Sequence, residues 1–310
     1  MRRCVALVLV AAWTCGAAWA EDGILLSGTL KTISDRSTIL IGYRDSAPPF
    51  SFLNPGGQPV GFSLDLCHGI AEDVARILNR DLLEADAPAW QTGIRIVYVP
   101  VTGEERLPKI MAGAIDLDCG STTANAERAK SVAFSPIFFL AGTKLLVPLV
   151  NRRPAMSSYR ELAGHIVVVG AGTTNAAVVH RLATTVSPPI TVTEVANLDI
   201  AYDTLAAGKA DAFASDDILL AGLIAKHADR NRFGIAGDYL SFEPYAIAFR
   251  RDDISFAELV RDSFARMASE GILNRRYTRW LMDRLPNGET LNVPMSPPLA
   301  EMYRALGQPD

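Results

Sequence analysis

The chain has 310 residues, is 49% hydrophobic, and carries 34 acidic against 30 basic side chains, for a formal net charge of −4. That is enough chain for one large or two medium domains, too apolar for a disordered one, and too acidic to point to a nucleic-acid partner. The first twenty residues stand apart. Arg2 and Arg3 precede an apolar stretch over 5–12, and Ala18-Trp19-Ala20 puts small residues at the −3 and −1 sites. This is the pattern of a secretory signal cleaved before Glu21. The apolar stretch is too short to span a bilayer, and Trp13-Thr14 before Cys15 makes a poor lipid-attachment site. A soluble, exported chain is therefore expected. Without residues 1–20 the basic count drops to 28 and the net charge to −6. Cys67 and Cys119 remain, in an oxidising compartment. A disulfide between them and a pair of buried free thiols both stay open, because their separation is not legible in the sequence. Four scattered histidines and two distant cysteines have no metal-site spacing, so neither metal nor cofactor is expected.

Residues 21–37 read as a polar lead-in. A strand is expected over 38–43, then a loop with Pro48-Pro49 and a Pro55-Gly56-Gly57 turn. Gly61 opens an amphipathic helix to about Asn79, with Leu66, Ile70, Val74 and Ile77 on one face. A strand over 94–99 follows, and then a helix from about Glu105 to Gly113, with Pro108 in its first turn. The pattern then restarts. A strand over 142–147 leads to a short helix at 159–162 and a strand at 165–169. Helices near 176–184, 200–207 and 218–227 alternate with strands at 190–195 and 210–214. A strand-like return at 245–250, helices near 255–270 and 272–283, and a terminal helix at 299–306 complete the chain. Repeated β-loop-α units imply an α/β fold with mostly parallel sheets.

One stretch carries unusual chemistry. An apolar run ends at Asp118-Cys119-Gly120-Ser121-Thr122-Thr123, and Asn125 and Arg128 follow in what reads as the start of a polar helix. Hydroxyl and amide side chains cap helices, but a cation in the first turn opposes the helix dipole. An anion held between the free N–H groups and the guanidinium would resolve the conflict. The other reading is a solvated surface arginine.

Taken together, Gly61-Phe62-Ser63-Leu64-Asp65-Leu66, Cys119-Gly120-Ser121-Thr122-Thr123, Gly172-Thr173-Thr174 and Asp216-Asp217-Ile218-Leu219-Leu220-Ala221-Gly222 resemble the bacterial extracellular solute-binding proteins of the polar-amino-acid class, family 3. The resemblance is strongest to the family's glutamate/aspartate binders, which serve ABC importers, and it runs from Thr38 to the terminal helix. It implies a type II periplasmic-binding-protein fold, with two α/β lobes joined by two hinge strands and closing on a ligand in the cleft. The crossings would fall near Thr143-Lys144 and Glu243-Pro244-Tyr245. Lobe 1 would then be 36–143 plus 244–310, and lobe 2 would be 144–243. A periplasmic monomer that delivers to a membrane permease is implied.

A free amino acid presents a carboxylate, an ammonium and a side chain, and each needs a partner when it leaves water. The resemblance assigns the α-carboxylate to Arg128 and Thr123, joined by Thr173 from the other lobe. It assigns the ammonium to Asp216 with Ser121, although Asp216 and Asp217 also read as helix caps. Arg44 and Arg106 fall where the glutamate/aspartate binders keep two arginines, a pair that implies an acidic ligand. Two positions depart from the pattern. Gly103 replaces a serine and Leu198 stands near an expected histidine, and each change removes a hydrogen bond to the distal carboxylate. Such a bond is worth about 1.5–3 kcal/mol, or roughly tenfold to a hundredfold in affinity. Phe50 and Phe52 line either the cleft or the core. Gly170-Ala171-Gly172 lacks the third glycine of a dinucleotide fingerprint.

Two other functions compete with a binding role. An enzyme of the arogenate or prephenate dehydratase type would need a general acid or base beside the ligand. Only Glu104, Glu105 and Asp217 are near, and His68, His165, His180 and His227 follow no catalytic motif. A sensor would have to signal through a separate chain.

Overall fold

The computed structural model describes residues 26–227 and 231–309. The expected secretory signal and cleavage site, with Cys4 and Cys15, lie outside the described residues.

Two sheets organise the chain. The first has strands in the order Leu82–Leu83, Ile94–Pro100, Thr38–Tyr43, Leu117–Asp118, Ala248–Arg250 and Val132–Phe134. Its first four strands are parallel, Ala248–Arg250 runs antiparallel to them, and Val132–Phe134, antiparallel to Ala248–Arg250, runs with the first four. Parallel strands covered on both faces are apolar throughout, and Ile39, Ile41, Ile94, Ile96 and Leu117 are fully buried here. The helix Phe62–Ile77 covers one face through Leu66, Ile70 and Val74. Ile77, expected on that face, is 41% exposed at the helix end. Cys67 on this helix is disulfide-bonded to Cys119 at the end of the central strands. That settles the alternative the sequence left open.

The second sheet is built on the long strand Phe139–Val150. Ala212–Asp216 pairs with it antiparallel on one side, and Ile166–Gly170 and Thr191–Val195 continue that side in parallel. Phe233–Ala236 and Phe242–Tyr245 pair with it on the other side. Between them, Phe139–Val150 and Phe242–Tyr245 carry the chain from one sheet to the other. Aromatic side chains pack beside this crossing. Phe50 lies with ring centroids 4.9 Å from Phe139 and 5.0 Å from Tyr245. Phe50 and Phe52 are thus core residues, the latter set against Trp280.

Four other expectations are corrected. The polar lead-in contains a helix, Gly28–Arg36, whose narrow buried face is Thr29, Leu30 and Ile33. The loop after the first strand folds into a small antiparallel sheet of Ser46–Ala47, Ser51–Leu53 and Pro59–Val60. The return at 245–250 is two strands, Phe242–Tyr245 and Ala248–Arg250, one in each sheet. The polar helix expected around Asn125 and Arg128 does not form; Arg128–Lys130 is a single 3-10 turn.

Candidate functional site

The site forms where the parallel strands of both sheets end, the usual place for ligands in α/β folds. Arg44 follows Thr38–Tyr43, and Arg106 is the first residue of the helix Arg106–Met111. The loop after Leu117–Asp118 supplies Ser121 and Thr123. That loop is pinned to the crossing strand by Ala124 N donating to Pro244 O (2.8 Å) and Ala246 N donating to Thr122 O (3.0 Å). From the second sheet come Thr173, at the turn after Ile166–Gly170, and Asp216, the last residue of Ala212–Asp216.

All seven residues singled out in the sequence (Arg44, Arg106, Ser121, Thr123, Arg128, Thr173 and Asp216) line one cavity. Thr174, Asn175, Ser215 and Leu219 complete it, with Leu198 as part of its apolar wall. Its volume is about 20 Å³. That is space for about one water molecule, so a larger solute reaches these residues only when the lobes part.

The turn at Gly172 brings the lobes together. Its φ of +68° is costly for any residue with a Cβ, and a Cβ there would meet Glu104 Cγ at 2.8 Å. Its carbonyl accepts from Arg106 Nη2 (3.3 Å) and from Arg128 Nη2 (3.4 Å). Arg106 Nη1 donates to Gly103 O, and Arg128 Nη1 donates to Thr123 O at 3.0 Å. Arg128 therefore opens a 3-10 turn and reaches across the cleft, with no α-helix terminus to cradle an anion. Leu198 N donates to Ser46 Oγ (3.3 Å), a further bond between lobes.

The cations are crowded. Arg44 and Arg106 are 5% and 3% exposed, and the Nε of each is buried without a partner. Burial, and then repulsion from Arg106, brings Arg44 and Arg128 each down to about 10. Burial also lowers Arg106, opposed by Asp118 and Asp216. Asp118 accepts from Thr122 Oγ1 (2.6 Å) through one oxygen, and its other oxygen has no partner.

The two aspartates divide their roles. Asp217 is the first residue of its helix and accepts from Ile218 N (2.8 Å), Gly142 N (3.3 Å) and Tyr239 OH (2.8 Å). Asp216 is in the cavity wall, where it accepts from Asn175 Nδ2 (2.7 Å) and from Tyr245 OH. Burial first, then the neighbouring Glu243, pushes Asp216 up to about 7. The Thr173 hydroxyl is committed locally: it accepts from Ala176 N (3.1 Å) and donates to Gly170 O (2.7 Å), as a helix cap does.

Sequence reasoning missed Asn175, Thr174, Glu243 and Tyr245 as parts of this assembly. Glu243 accepts from Thr123 and Thr174, each at 2.6 Å, and from Ser241. Its position in a crossing strand was a signal, because a carboxylate there must find buried donors.

Two lobes that meet over a small, cation-rich cavity at their strand ends define a two-lobed solute-binding protein. The family model for bacterial extracellular solute-binding proteins, family 3, matches residues 39–283, and the chain belongs to that family. It is 31% identical over 307 residues to a glutamate/aspartate import solute-binding protein of Salmonella typhimurium, covering 98% of this chain and 97% of that one. It is 33% identical over 279 residues to an L-glutamate/L-aspartate-binding protein of Pseudomonas aeruginosa, covering 89% and 88%. A solved ancestral amino acid-binding protein, a precursor of cyclohexadienyl dehydratase, superposes with a TM-score of 0.67 at 25% identity, over 82% of this chain and 99% of that one. The fold is the type II periplasmic-binding-protein fold, and the chain is a binding protein rather than an enzyme. Among the described residues no helix is long and apolar enough to cross a membrane.

Proposed function

We propose that this protein is the periplasmic amino-acid-binding component of an ABC importer and that its ligand is acidic, L-glutamate or L-aspartate. The observation that carries the acidic reading is the buried pair Arg44 and Arg106, each with an unpartnered Nε. Two buried guanidiniums in one cavity call for an anion between them. Arg128 and Thr123 hold the α-carboxylate, with the turn at Thr173 closing over it. Asp216 and Ser121 take the ammonium, and Arg44 and Arg106 take the distal carboxylate. Lobe 1 comprises 36–143 and 244–310, and lobe 2 comprises 144–243. Ligand binds the first, and the second closes by bending at the two crossing strands. A permease then reads the closed shape of a monomer. The names of the relatives support the same ligand class.

Calorimetric titration of ligand-stripped mature protein tests this reading, with L-glutamate and L-aspartate run beside L-glutamine and L-arginine. The expected result is saturable binding of the two acidic ligands, lost in Arg128→Ala and weakened in Arg106→Ala. Absence of heat with both acidic amino acids would sink the assignment.

A further inference from the structure

Two buried carboxylates flank the strand Phe139–Val150 where it leaves lobe 1. Asp216 is opposite Thr143 on one side, and Glu243 is opposite Ala141 on the other. They are 3% and 2% exposed. Among the described residues neither makes an ion pair. Asp216 is held by an amide and a phenol, and Glu243 by three hydroxyls. Neighbouring buried carboxylates without a bonded cation do not both ionise freely. One oxygen of Glu243 also touches both lobes at once, through Thr123 from the first and Thr174 from the second.

We infer that Glu243 is a positioning residue for ligand binding: it keeps a proton on Asp216 while the ammonium position is empty, and the ligand's ammonium displaces that proton. This rests on the acidic amino-acid reading and deepens it. The groups facing Asp216 agree. Burial most strongly, then Glu243, and more weakly its neighbour Asp217 disfavour its charge, against the opposing hydrogen bonds from Tyr245 and Asn175. Arg106 and Arg128 feel Asp216 without hydrogen-bonding it. Lys144, opposite Ser215, turns away to lie 4.4 Å over the Tyr239 ring. Proton balance is simple: the ligand arrives as the ammonium, the carboxylic acid of Asp216 loses its proton to solvent, and an ammonium–carboxylate pair forms.

The experiment is calorimetry with L-glutamate in phosphate and in Tris at each pH, so that the difference in heat counts protons. About half a proton should be released at pH 7 and close to none at pH 8.5. The dissociation constant should rise about thirtyfold from pH 8 to pH 5.5. Glutarate keeps both carboxylates and lacks the ammonium, so it should show the opposite slope and bind better as pH falls. In Glu243→Gln, where burial still raises Asp216, the proton release at pH 7 should fall and the rise in dissociation constant should shrink to about tenfold or less. A purely structural Glu243 would weaken binding equally at every pH. Wild-type binding of L-glutamate with no proton release between pH 6 and 8 overturns the inference and leaves the ligand assignment standing. Absence of binding by either acidic amino acid at any pH overturns both.

Discussion

Gly103 separates two ways of reading this site. By family pattern a serine at this position gives the distal carboxylate a hydrogen bond, so Gly103→Ser should tighten binding. The structure argues the reverse. A Cβ at Gly103 would fall well inside van der Waals contact with the Ala171 carbonyl oxygen on the opposite lobe, and 3.1 Å from Arg106 Nη1. Restoring ordinary contact requires the lobes to separate by roughly 1 Å at this point. Four bonds across the cleft are already long: Arg106 and Arg128 to Gly172 O at 3.3 and 3.4 Å, Leu198 N to Ser46 at 3.3 Å, and Thr123 to Thr174 at 3.4 Å. An added ~1 Å at Gly103 removes those nearest to it, at Gly172 O. Losing two or three, at about 1 kcal/mol each with more for the charged donors, costs about 2–4 kcal/mol of closure. That is about thirtyfold to a thousandfold in dissociation constant. Calorimetry with L-glutamate on Gly103→Ser and Gly103→Ala reads it directly, and small-angle scattering reports whether the liganded protein stays more open. Both variants should weaken binding, because the Cβ is what obstructs. Tighter or unchanged binding in Gly103→Ser, with an unchanged scattering profile, would refute the steric argument and restore the missing-hydrogen-bond account.

Three further outcomes are expected. Asp216 is raised in the fold to about 7 against about 3.9 when unfolded. The stability this contributes is therefore complete at low pH and lost as pH rises toward 7. Ligand-free protein should lose roughly 2–3 kcal/mol from this group between pH 5 and pH 8, and urea unfolding of Asp216→Asn should show that slope removed. The Cys67–Cys119 bridge closes a sequence separation of 52 residues, so the double serine variant should lose about 2–4 kcal/mol in the same assay. Thr173→Ala should lower stability by about 1 kcal/mol through the lost cap, with Thr173→Ser restoring it, and should cost far less affinity for L-glutamate than Arg128→Ala does.

Much of the architecture was legible because its causes are local. Apolar runs such as Thr38–Tyr43 and Ile166–Gly170 mark strands buried on both faces, and Leu66, Ile70 and Val74 recur at the helical period. Five of the seven candidate site residues lie on strand ends or the loops after them, where such a fold gathers its polar groups, while Arg106 opens a helix and Arg128 a 3-10 turn. What escaped depends on partners distant in sequence. The helix Gly28–Arg36 buries only Thr29, Leu30 and Ile33, too few for a period to stand out. The Arg128 turn gave a helix-start signal through Asn125, whose Oδ1 does accept from Arg128 N at 2.9 Å, but the chain is drawn into the short strand Val132–Phe134 before a helix can extend. Glu243 and Asn175 look like ordinary surface residues until the two crossing strands bring donors from both lobes around them.

The distribution of charge about those strands says how a zwitterion must lie. Lobe 1 brings Arg44, Arg106 and Arg128 to the cavity, with Asp118 as the buried carboxylate beside them. The opposite wall brings Asp216, with Glu243 behind it on the crossing strand. The lobes therefore face each other with opposite net charge, which favours closure. It also fixes polarity: carboxylates settle against the arginines, and an ammonium settles toward Asp216. A neutral solute would gain from neither wall, and a dianion without an ammonium would meet a carboxylate it cannot neutralise unless Asp216 holds its proton. Under the proposed assignment, selectivity for an acidic amino acid over a plain dicarboxylate thus comes from the ionisation of one buried aspartate as much as from the shape of the cleft.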